Sequence, residues 1–117
     1  MPEPAGEKHQ LAGFDARERG FNRPVEFLRT SSGFQASLRY EAVHLLTPDA
    51  ASTADALQQL IHLLHEQGYT QLRSQQSYRD GIYLGSQEPW IEYPDRQPEP
   101  EVGLLGLLKK WFGRSGG

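Results

Sequence analysis

One uninterrupted amphipathic helix, preceded by stretches that alternate in twos and followed by strand-compatible segments, limits most what this chain can become. Ala54, Leu57, Leu60, Ile61 and Leu64 recur at helical spacing and share one face, with Leu63 at its margin, whereas Asp55, Gln58, Gln59, His62 and Glu66 fall on the other. Thr47 followed by Pro48 offers one start, Ser52-Thr53-Ala54-Asp55 a later one, and Gly68 a natural stop. A helix with a single apolar face must bury it against another element, and the flanking segments supply a sheet.

Before the helix, Val25 and Phe27 alternate with Glu26 and Leu28. After Ser31-Ser32-Gly33, the residues Phe34, Ala36, Leu38, Tyr40 and Ala42 oppose Gln35, Ser37, Arg39 and Glu41. This pattern predicts a two-stranded hairpin with one buried face. After the helix, Tyr69 to Ser77 is polar but compatible with a strand, Asp80-Gly81 suits a tight hairpin turn, and Ile82-Tyr83-Leu84 returns. Trp90-Ile91-Glu92-Tyr93, following Pro89, adds an edge strand or lies across the sheet. The expectation is a small two-layer α+β domain over residues 24–93, with ββαββ order, an antiparallel or mixed sheet and one helix on one face.

The flanks differ from this body. Residues 1–23 are rich in proline, glycine and charge, which predicts a mostly disordered segment with at most one helical turn between Phe14 and Phe21. Their start has no long apolar run behind a basic region, so no secretory signal is expected there. Residues 94–101 carry Pro94, Pro98 and Pro100 among acidic residues, the composition of an extended spacer. Beyond them, on a helical projection, Leu104, Leu105, Leu107, Leu108, Trp111 and Phe112 occupy one arc of roughly 160°. Lys109, Lys110, Arg114 and the glycines fill the opposite side.

The tail 102–117 is too short to span a bilayer, which takes about 20 apolar residues, so its apolar arc suits burial, docking or an interfacial position. Lys109, Lys110 and Arg114 favour an anionic membrane surface, and Trp111 suits its boundary; the same arc also fits a groove on a partner protein. Two glycines at positions 103 and 106 make so short a helix marginal in water, so it is expected to fold on the surface it meets. In these last 20 or so residues the chain resembles cationic amphipathic peptides. With its spacer, the tail is similar to the targeting tails that carry cargo into bacterial microcompartments.

Chemistry finds little purchase in the rest. No cysteine is present, which excludes disulfides and thiolate metal sites and fits a cytoplasmic setting. A formal charge of -3 weighs against coating nucleic acid, although Arg29, Arg39, Arg73 and Arg79 interleave with Phe34, Tyr40, Tyr78 and Tyr83. The expectation there is aromatic side chains toward the core and arginines toward water. His44, His62 and His65 number enough for a metal site, but strand and helix positions are expected to keep them apart, and no cofactor is implied. Neither a nucleophile elbow nor a phosphate-binding glycine loop occurs. The sequence therefore reads as a non-enzymatic adaptor or accessory protein docking through its tail to a partner protein or an anionic membrane. The alternative is a compact domain binding a small ligand or nucleic acid, with its tail part of the fold.

Overall fold

A computed structural model describes residues 3–95. Eight elements follow one another: β1 (Glu3–Phe14), β2 (Gly20–Thr30), β3 (Gly33–Tyr40), β4 (Val43–Leu46), α1 (Thr53–Glu66), β5 (Thr70–Arg79), β6 (Ile82–Tyr83) and β7 (Ile91–Tyr93). The domain is small and α+β, with one antiparallel sheet and one helix. The order ββαββ is corrected to ββββαβββ. The sheet runs β4-β3-β2-β1-β5-β6, with β7 also paired to β5, and every pairing is antiparallel.

The first four strands form a meander, and α1 then carries the chain back over the sheet so that β5 lies on the free side of β1. The disordered segment expected over residues 1–23 is therefore also corrected. Residues 3–14 are the strand flanked by β2 on one side and β5 on the other. Their local pattern conceals this because only Leu11 and Ala12 are buried on β1. Ladders on both edges hold the strand instead, and its partners Gln75 and Ser74 are more than sixty positions away in the chain.

Hairpin geometry follows residue chemistry at two turns. Gly33 sits where a Cβ would come 2.2 Å from the Ala50 carbonyl oxygen, so only glycine lets Phe34 and Ala50 exchange two backbone bonds of 2.9 and 2.8 Å. At the β5–β6 turn, Asp80 and Gly81 both have positive φ, 52° and 79°, as the Asp-Gly pair predicts. A further turn, with Glu41 at φ 54°, ends β3 and starts β4, so His44 stands on a separate strand.

The helix is where its periodicity put it. Ser52 is the N-cap, its hydroxyl accepting from the Asp55 N–H at 3.1 Å, and Gly68 follows the C-cap with φ 93°. Thr47 does not cap it, because its hydroxyl accepts from the Ala36 N–H at 2.9 Å and its own N–H donates to the Ala36 carbonyl at 3.0 Å. Ala56, Leu57, Leu60, Ile61 and Leu64 are buried, whereas Ala54 is exposed. Together with Leu11, Val25, Phe27, Leu38 and Leu72 they form one continuous core between helix and sheet. Each fully buried leucine of this kind contributes roughly 1.5–3 kcal/mol.

The spacer from residue 96 onward and the tail 102–117 lie outside the described residues.

Candidate functional site

All nine tail positions singled out above, Leu104, Leu105, Leu107, Leu108, Lys109, Lys110, Trp111, Phe112 and Arg114, fall among those undescribed residues. The polar chemistry of the described domain gathers instead in three places, two of them closed and one open.

The turn between β1 and β2 is tied by Asp15. Its Oδ1 accepts from the backbone N–H groups of Arg17 and Arg19, both at 2.9 Å, and its Oδ2 accepts from Arg19 Nε and the Tyr40 hydroxyl, again at 2.9 Å. Arg19 reaches on to Glu41 at 3.0 Å. Burial pushes the Asp15 carboxyl up, but the Arg19 N–H, the Tyr40 hydroxyl, the Arg17 N–H and the Arg19 guanidinium outweigh it and hold the group at about 2. Tyr40 is raised by its bond to that carboxylate, and Tyr69 by burial beside it. A cleft of about 270 Å³ runs past Asp15, Tyr40, Glu41 and Tyr69. Perturbed groups in a cleft point toward a site. Here, however, both oxygens of the carboxylate are already occupied, and an acid held near 2 has almost no basicity at neutral pH. The arrangement is a clasp.

A second knot joins β1 to the start of α1. Glu7 Oε1 accepts from the Thr53 hydroxyl at 2.8 Å, and Glu7 Oε2 lies 2.8 Å from His9 Nε2. The His9 bond is the main reason the Glu7 carboxyl falls below its ordinary range; burial opposes it and the Thr53 bond adds to it. A carboxylate beside the first turn of a helix also meets the positive end of its dipole. His9 packs edge-on against Phe27 with ring centroids 5.3 Å apart, and its Nδ1 is buried with no partner among the described residues. A carboxylate–imidazole pair could serve as a base, but a ring nitrogen shut away from solvent reaches no substrate. This knot also is structural.

The open place is the sheet edge carried by β5, β6 and β7. Tyr78 and Tyr83 face each other with centroids 5.3 Å apart, and Lys8 Nζ lies 5.1 Å above the Tyr78 ring. Arg73 lies 5.2 Å over Trp90. The connection between β6 and β7 folds back on the sheet, where the Gln75 side chain donates to the Glu88 carbonyl at 2.8 Å. Ile82, Tyr83, Trp90 and Ile91 remain exposed, at 66%, 66%, 40% and 54%. The expected split of aromatics inward and arginines outward is thus only half realised. Tyr83 faces water, while Phe34 and Tyr40 are half-buried, with Arg29 5.7 Å over Phe34. No local signal distinguishes these cases, because facing depends on which strand lies beside which.

The histidines occupy separate settings. His44 bonds Ser37 at 2.9 Å, His62 lies 3.1 Å from Glu66, and His65 is half-buried on α1 with Nε2 lacking a partner among the described residues. No cluster of three metal-ligating side chains occurs among the described residues. No protein-family model, curated protein or solved structure matches the chain.

Proposed function

We propose that this chain is a non-enzymatic adaptor or accessory protein whose segment 102–114 docks to a partner protein or an anionic membrane surface. The observation that supports it is that the described residues assemble a continuous hydrophobic core among themselves, from Leu11 to Tyr93. An amphipathic segment attached to such a domain can place its apolar arc on an external surface. The non-enzymatic reading rests on the two carboxylate knots, whose acceptor oxygens are taken up by the fold. No helix among the described residues is long and apolar enough to cross a membrane.

The test uses Trp111 as its reporter after Trp90→Phe has removed the other indole. Anionic vesicles should shift Trp111 emission to the blue and raise helicity, with the response weakened by salt because Lys109, Lys110 and Arg114 provide part of the attraction. If emission is unchanged with vesicles and a pull-down with the full chain recovers nothing that Leu104→Glu/Leu108→Glu loses, the docking reading fails.

A second reading, a nucleic-acid or small-ligand-binding domain, draws on the two cation-backed rings at the open edge, Lys8 on Tyr78 and Arg73 on Trp90. Quenching of Trp90 by single-stranded oligonucleotides in Trp111→Phe, suppressed by salt, would favour it.

A further inference from the structure

Large exposed apolar side chains are not scattered evenly over this domain. Of the seven among the described residues, four lie between residues 82 and 91, on the outer side of β5: Ile82, Tyr83, Trp90 and Ile91. Helix α1 packs most closely on β3, toward the other end of the sheet, and leaves this edge uncovered. The partners of Ile91 and Ile82 on β5 are Ser74 and Arg79, so at about 3.3 Å per residue the two isoleucines sit roughly 17 Å apart along the edge. A helical stretch of residues 104–112 would be about 13 Å long, short enough to lie within that span.

The chain also leaves the described domain at this place. β7 ends at Tyr93, and Asp95 Oδ1 accepts from the Gln71 N–H at 2.7 Å, which pins the exit against β5. Between that exit and Leu104 lie residues 96–103, which extended reach up to about 25 Å and so cover the whole edge. Tethering over such a distance corresponds to an effective concentration of order millimolar, enough for a weak contact to be populated. The edge carries both signs of charge, Asp80 and Glu92 with Lys8 and Arg73 beside them, so reach and apolar surface rather than net charge favour the tail.

We propose that the apolar edge formed by Ile82, Tyr83, Trp90 and Ile91 is the resting dock of the chain's own segment 104–112. The contact lies at the rim of the described domain, away from the core that its residues form, and is reversible. Taken with the docking role proposed above, on which this clause rests, it makes edge and external target compete for one apolar arc, so that the tail is withheld until a stronger surface takes it.

The chain has no cysteine, so Ser115→Cys gives a single point for a nitroxide label. In the full-length labelled chain, at tens of micromolar, methyl signals of Ile82 and Ile91 should broaden several-fold more than those of Val43 and Leu46 on the far edge strand β4. Leu104→Glu/Leu108→Glu in the same labelled chain should abolish the difference. Equal broadening at both edges overturns the proposal. So does the same broadening of Ile82 and Ile91 in isotope-enriched unlabelled chain mixed with labelled chain of natural isotope abundance, since the occupant is then a second copy. Vesicle and partner binding are read separately through Trp111, so a tail that binds outward but never broadens Ile82 and Ile91 sinks the dock and leaves the adaptor reading standing.

Discussion

The hydroxyl of Tyr40 donates to Asp15 Oδ2 at 2.9 Å, and that bond ties the turn between β1 and β2 to the last residue of β3. Asp15 thus holds three strands at one end of the sheet, much as Glu7 fastens β1 to the first residue of α1 at the other side of the core. Both knots depend on ionised carboxylates, which gives the fold a definite response to acid.

Asp15 titrates at about 2 in the folded chain against an ordinary 3.8, and the Glu7 carboxyl is likewise lowered from 4.5. A group whose folded value is depressed stabilises the fold above its unfolded value and loses that contribution as pH falls through the folded one. The urea midpoint should therefore stay level near neutrality and decline from about pH 4.5 downward, continuing toward pH 2. Asp15→Asn leaves Arg19 Nε and the Tyr40 hydroxyl short of an acceptor, so the variant should be less stable at pH 7 and fall less steeply below pH 4. An unchanged acid slope in that variant would show that Asp15 is not the group responsible.

Leu60 is fully buried at the centre of the α1 face, whereas Leu63 is only half-buried on its margin. Leu60→Ala should cost about 2–5 kcal/mol, a large part of the stability of so small a domain. Leu63→Ala should cost about 1 kcal/mol or less. Urea melts of the pair decide it, and equal losses would mean that the helix is rotated from the orientation described.

Removing residues 1–14 takes out the strand that separates β2 from β5 and exposes an unpaired edge on each. The shortened chain should lose amide dispersion and cooperative unfolding together. Retention of a dispersed spectrum and a sharp melt would show that β1 is an accessory strand and that the rest closes without it.

What the sequence determined by itself is whatever contiguous residues can encode. The face of α1 was legible because one apolar residue every three or four positions has a single consistent burial. The turns at Ser31-Ser32-Gly33 and Asp80-Gly81 were legible because few residue types accept the backbone angles they need. Only tertiary structure decided the rest. β1 buries just Leu11 and Ala12 of its own and is held by ladders to strands on both sides, so its place depends on pairings that no local window contains. Thr47 had the chemistry of a helix cap, but Ala36 took its hydroxyl and the cap fell to Ser52. Asp15 reads as one more charge in a polar segment until the fold brings Tyr40 to it from 25 residues away. Long-range pairing selects among local options of nearly equal energy, and that selection made a carboxylate clasp at one end of the sheet and, among the described residues, an exposed apolar edge along β6 and β7.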